Sequence, residues 1–176
     1  MPNATTQTTT APVPTKRIFF TTMGSPIGEL LLVGDGETLS GLYMQDGRKP
    51  KRIALGWTES AAPFADVKTQ LEEYFTGERT TFDVKLAPEG APFEREVWRA
   101  LEEIPYGETV SYGEIARRVG QPTAARAVGT ANGRNPIAVI VPCHRVIGAD
   151  GSLTGYGGGL ERKRLLLELE RGQGRL

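Results

Sequence analysis

Ile137-Ala138-Val139-Ile140-Val141-Pro142-Cys143-His144-Arg145-Val146-Ile147-Gly148 holds the only cysteine and the only histidine of the 176-residue chain side by side. Five apolar residues in succession read as a buried strand. Pro142, with a fixed φ and no amide hydrogen, ends that strand and places Cys143 on a turn. A buried strand feeding a rigid turn holds a nucleophile still. A lone cysteine is otherwise a small core hydrophobe. His144 and Arg145, however, are neighbours for which an inert core thiol has no use, and nearby positive charge favours the reactive thiolate. Adjacent residues on a strand point to opposite sides, so the Cys-His pair alone does not fix a geometry.

Upstream, Ser111-Tyr112-Gly113-Glu114 has the spacing of a capping box and predicts a helix running through Ile115, Ala116 and Val119 to Gly120. Gln121-Pro122-Thr123 makes a turn, and Thr123 can cap a second helix over 124–131. Two short helices across a tight turn read as a helix-turn-helix. The second is built of Ala, Gly and Thr with one long side chain, a shape that brings the backbone close to a duplex and pushes Arg126 into it; a tightly packed structural helix has the same composition. No acidic residue falls between Glu114 and Asp150, whereas Arg117, Arg118, Arg126, Arg134 and Arg145 do. That is either a basic patch or a solvated face.

Further out, Phe93, Val97, Trp98, Leu101 and Ile104 form the apolar stripe of a helix ended by Pro105, which puts Trp98 in the core. Gly133-Arg134-Asn135-Pro136 is a loop, and Ala149-Asp150-Gly151-Ser152 is a turn. Gly155-Tyr156-Gly157-Gly158-Gly159 is either a plain connector or a segment whose backbone can approach a flat ligand. A last helix over 162–169 has a leucine-rich face and carries Glu170 at its end.

The first half reads as β-type runs at 17–22, 29–33 and 39–44, separated by Gly-Ser-Pro and Gly-Asp-Gly turn formers, hence an antiparallel meander. Phe64, Val67, Leu71, Tyr74 and Phe75 recur at helical spacing with Gly77 as a stop, and 82–86 returns as a strand. Its aromatics sit at core spacing and it offers no chemistry. Pro88-Glu89-Gly90-Ala91-Pro92 is the linker. The fold class is therefore α+β, with a small α/β domain over 16–88, a mainly helical domain over 92–176 and a disordered Thr/Pro-rich tail over 1–15. Formal net charge is zero. One cysteine excludes an intramolecular disulfide and a Cys-rich zinc site and fits a reducing cytosol. With no signal-like or membrane-spanning stretch, a cytoplasmic protein is expected and Asn3-Ala4-Thr5 matches a glycosylation acceptor by chance.

Pro142-Cys143-His144-Arg145-Val146-Ile147-Gly148 resembles the signature of the O6-alkylguanine-DNA alkyltransferases, or methylated-DNA–protein-cysteine methyltransferases. Ile104-Pro105-Tyr106-Gly107-Glu108-Thr109-Val110-Ser111-Tyr112-Gly113-Glu114-Ile115-Ala116, Ala124-Ala125-Arg126-Ala127-Val128-Gly129, Asn135-Pro136 and Gly155-Tyr156 also stand where that family has them. The resemblance is specific over 93–170 and loose over 17–86. It implies a ribonuclease H-like N-terminal domain and a winged-helix-like C-terminal one. The implied reaction is SN2 transfer of the alkyl group of O6-alkylguanine, with O4-alkylthymine as a second lesion, from double-stranded DNA to Cys143, once per molecule and with no cofactor or metal.

By the same resemblance His144 is the base that takes the thiol proton through a water, Glu170 orients and charges that histidine, Asn135 braces the Cys143 turn, Arg145 supports the loop, and Tyr112 donates toward the departing base. Arg126 fills the place of a flipped-out nucleotide from the minor groove, on a DNA-facing surface with Ala125, Ala127, Thr130 and Arg134. The base pocket comprises Tyr112, Val146, the Cys143 main chain and the backbone around Tyr156 and Gly157. Family members often carry Ser or a larger residue in place of Gly157, which implies a roomier or more mobile pocket. A monomer in solution is implied, with cooperative assembly on DNA left open.

Three other readings compete. Cysteine hydrolases usually draw their partners from distant positions, and no protease signature is present. Alkyltransferase-like proteins, which bind damaged DNA without reacting, lack the cysteine. A sequence-reading transcription factor needs side chains for base edges, and the second helix has few.

Overall fold

The computed structural model describes residues 16–47 and 49–172; the expected tail over 1–15 lies outside the described residues. Three strands, β1 (Phe19–Met23), β2 (Leu30–Gly34) and β3 (Leu39–Met44), form the antiparallel meander, each within two residues of the expected bounds. A two-residue strand missed from sequence, β4 (Thr58–Glu59), adds a parallel edge to give the order β3-β2-β1-β4. Helix α1 (Ala65–Phe75) buries Val67, Leu71, Tyr74 and Phe75 against this sheet.

The strand expected over 82–86 does not form. Gln70 of α1 takes both backbone groups of Asp83, accepting from its amide at 2.8 Å and donating to its carbonyl at 3.0 Å. Only Leu86 then bridges to Leu39.

After the linker come α2 (Pro92–Glu102), β5 (Val110–Ser111), α3 (Tyr112–Arg118), α4 (Ala125–Gly133), β6 (Val146–Ile147) and α5 (Leu160–Glu170). Trp98 is buried on α2 and donates to the Ala131 carbonyl of α4 at 2.9 Å. Ser111 caps α3 by accepting from the Glu114 amide. The Glu114 carboxylate turns instead to Arg117 and Arg118, so only half of the capping box forms. The cap expected from Thr123 is absent: Ala124 occupies that position without a side-chain bond. One continuous apolar cluster joins β1, β2 and β3 to α1 through α5, so the sheet and the helical half share a core. No helix among the described residues is long and apolar enough to cross a membrane.

Candidate active site

The run before Cys143 is not the strand that its composition suggests. Asn135 intervenes: its side chain accepts from the Ile137 amide at 3.0 Å and donates to the Val141 carbonyl at 2.8 Å, closing the segment on itself. Two three-residue turns follow. In the first, the Ile140 amide donates to the Ala138 carbonyl around Val139, which has φ +70°, a conformation that a β-branched residue holds only under constraint. In the second, Pro142 at φ −82°, ψ 62° is an inverse γ-turn, with the Cys143 amide bonded to the Val141 carbonyl. Cys143, His144 and Arg145 then make one 3-10 turn. The segment is pinned to β3, where Leu42 donates to the Pro136 carbonyl and accepts from the Ala138 amide. Asn132 of α4 donates to the Cys143 carbonyl at 3.3 Å. Pairing of β5 with β6 sets Val110 against Val146 and so fixes Tyr112, the first residue of α3, relative to this turn.

His144 is fully buried, and its Nε2 stands 2.7 Å from Glu170 Oε1. A carboxylate only accepts, so Nε2 carries the hydrogen, and in the neutral ring Nδ1, buried and without a partner among the described residues, presents a lone pair. The two Glu170 oxygens also take Arg145 Nε at 2.8 Å and Nη2 at 2.9 Å, the Tyr74 hydroxyl at 2.6 Å and the Gly107 amide at 3.3 Å. Burial alone would raise the Glu170 carboxyl. The hydrogen bonds from His144 and Arg145 and the guanidinium charge outweigh it and hold the group well below the usual carboxylate range. Burial pushes His144 down; Glu170 opposes this, while Arg145 and Lys163 reinforce it. The net direction favours the neutral imidazole that a base requires, with Glu170 acting toward the charged form.

The expectation of a thiolate favoured by Arg145 is also corrected. Arg145 spends its guanidinium on Glu170 and on the Ile104 carbonyl at 2.6 Å. Burial pushes the Cys143 thiol up, against Asn135, Lys163 and Tyr156. The cation facing the sulfur is Lys163 of α5, fully buried, which donates to the Val146 carbonyl at 2.5 Å and the Thr154 carbonyl at 2.9 Å. Cys143 opens onto a cleft of about 580 Å³ lined also by Asn135, Tyr156, Gly157 and Met44. A larger depression of about 870 Å³, which shares Tyr156, Gly157 and Gly158 with that cleft, excludes the cysteine. A Cβ on Gly157 would meet only the Gly133 carbonyl oxygen, at 3.9 Å, so a side chain is sterically acceptable there.

The domain description "6-O-methylguanine DNA methyltransferase, ribonuclease-like domain" matches residues 18–88, and "6-O-methylguanine DNA methyltransferase, DNA binding domain" matches 92–172. The chain belongs to the 6-O-methylguanine DNA methyltransferase family. It is similar to the methylated-DNA–protein-cysteine methyltransferase of Methanosarcina acetivorans, 55% identical over 153 residues, covering 87% of this chain and 98% of that one. The enzyme of the same name from Mycolicibacterium paratuberculosis is 59% identical over 155 residues, covering 88% and 93%. Mycobacterium tuberculosis OGT, whose crystal structure was determined in complex with DNA, superposes with TM-score 0.83 at 54% identity over 89% of this chain and 94% of that one.

In this methyltransferase family member, the arginine-rich segment is less basic than its sequence. Arg117 and Arg118 pair with Glu114, Arg134 with Glu94 at 3.0 Å, and Arg145 with Glu170. Arg126, exposed near the start of α4, has no ion-pair partner among the described residues. Ala127 and Thr130 share its exposure, Ala125 is half-buried, and Val128, Ala131 and Asn132 form the inner face of α4. The Tyr112 ring lies against Gly129, and its hydroxyl donates to the Thr154 carbonyl at 3.0 Å.

Tyr74, Asn132 and Lys163 were missed from sequence. Tyr74 is indistinguishable from a core aromatic. Asn132 and Lys163 carried a usable signal, each being a polar residue at helical spacing within an apolar stripe, Val128-Ala131-Asn132 and Lys163-Leu166-Leu167.

Proposed function

We propose that Cys143 is the alkyl acceptor and that the protein removes the alkyl group of O6-alkylguanine from duplex DNA, one group per molecule. The family's activity, DNA repair by alkyl transfer to a cysteine of the protein, is the activity of this chain. The observation that carries the assignment of residues is the buried relay behind the only thiol: Glu170, ionised and fixed by Arg145, holds the Nε2 hydrogen of His144 and leaves Nδ1 free as a base. His144 takes the Cys143 proton through a water, and the sulfur attacks the alkyl carbon in line. The sulfur–carbon bond forms, the carbon–oxygen bond breaks with its electron pair going to the base, and Tyr112, whose hydroxyl first leaves the Thr154 carbonyl, supplies the matching proton to the departing guanine.

The target base lies inside a duplex and has to be extruded at a cost of a few kcal/mol. Arg126, exposed and without an ion pair among the described residues, is suited to take its place in the stack, with Ala125, Ala127 and Thr130 allowing close approach of α4 and Arg134 flanking it. Tyr156 and Gly157 line the pocket, and Val146, buried beside the turn, would reach the base only through its main chain. Duplex DNA carrying O6-methylguanine, incubated with wild type and with Cys143→Ser, tests the reading. Wild type removes the lesion, while the serine variant binds and leaves it in place, because a hydroxyl stays protonated in this setting. Lesion loss with the serine variant overturns the assignment.

A further inference from the structure

The Tyr156 hydroxyl is buried and has no hydrogen-bond partner among the described residues, although it lines the same cleft as Cys143. A buried donor left unmade is costly, and the sulfur of Cys143, in the same cleft, is the acceptor that the site offers it. A neutral thiol is a weak acceptor; a thiolate is a strong one. We propose that the Tyr156 hydroxyl donates a hydrogen bond to the Cys143 sulfur as the thiol loses its proton, so that the phenol and Lys163 together hold the attacking anion. This rests on Cys143 being the acceptor, and it gives Tyr156 a part beyond lining the pocket.

The loop is built to hold the phenol at a fixed depth. Arg162 of α5 donates through Nη1 to the Gly158 carbonyl at 2.9 Å and through Nε to the Ile27 carbonyl at 2.5 Å, tying the glycine-rich loop to the β1–β2 turn. Three groups on three segments bear on the sulfur, Lys163 from α5, Asn135 before the turn and Tyr156 from the loop, and His144 is the next residue in the chain. Burial and the Cys143 charge keep the phenol protonated, with Glu170 acting the same way and Arg162 opposing. The proton therefore leaves sulfur for His144 while Tyr156 keeps its own. Once the sulfur carries an alkyl group it is an uncharged thioether, and the phenol loses its partner again.

The single cysteine makes the test clean. Cβ-13C-labelled cysteine in the full-length protein, titrated by NMR without DNA, reports the thiol directly in wild type and in Tyr156→Phe. The phenylalanine variant is expected to hold a roughly tenfold smaller thiolate fraction at a given pH, and its transfer rate on O6-methylguanine duplex falls by a similar factor and recovers as pH rises. An unchanged cysteine titration overturns the proposal, including the case where transfer slows because the phenol serves the bound base. Failure of wild type to place methyl on Cys143 refutes instead the reading on which the proposal rests, and leaves the thiol titration as it is.

Discussion

The Tyr74 hydroxyl donates to Glu170 Oε1 at 2.6 Å, across ninety-six positions of sequence, so a helix of the sheet-bearing half completes the coordination of the carboxylate behind His144. Tyr74→Phe removes that one donor and leaves Arg145, His144 and Gly107 in place. A loss of about 1–2 kcal/mol of stability is expected, together with a slower transfer, both measurable by denaturant unfolding and single-turnover kinetics. Unchanged stability and rate would show that the sheet-bearing half does not support the site through this contact.

His144 and Glu170 act as a unit. Removal of either one breaks the same relay, so Glu170→Gln, His144→Gln and the double variant should slow transfer by amounts that do not add. Additive losses measured on the same duplex would mean that the 2.7 Å contact carries no function.

The same pair sets an acid limit. His144 and Glu170 both have folded-state pKa values below their ordinary ones. The unfolded chain therefore binds the extra protons, and the contribution of these groups to stability is present at neutral pH and declines as pH falls. His144 is the only histidine, so the loss that begins near pH ~6.5 is its own, with Glu170 adding to it in the carboxylate range below about pH 4. Melting temperatures of wild type should drop between about pH 6.5 and pH 5, whereas those of His144→Gln should stay flat over the same interval.

Much of this was legible in the sequence, and the exceptions share a cause. The meander, α1 and the helix-turn-helix follow from hydrophobic period and from turn residues, which are local signals. The stretch 137–141 has the composition of a strand, all apolar and mostly β-branched. The Asn135 side chain captures both ends of it, and that side-chain bracket overrides propensity. In the same way Gln70 captures Asp83 and prevents the 82–86 strand. The arginine patch failed because three of its counter-charges, on Glu94, Glu114 and Glu170, sit at or outside the edges of the segment and are brought in by folding. Cys143, His144 and Glu170 were found through resemblance; their spacing alone gives no geometry.

Arg126 separates base extrusion from chemistry. It is exposed on α4 and unpaired among the described residues, away from the buried Cys143 relay. Arg126→Ala should therefore lose a large part of its rate on duplex O6-methylguanine and react almost normally with the free alkylated base. Equal slowing on both substrates would make Arg126 structural or catalytic.

The central claim is that the only thiol of the chain receives the alkyl group and is consumed by it. Intact mass and peptide mapping after incubation with excess O6-methylguanine duplex test it directly. The expected result is one methyl group per protein, carried on Cys143, with repair stopping once every molecule is modified. Methyl on another residue, or more lesions repaired than protein molecules present, would contradict it.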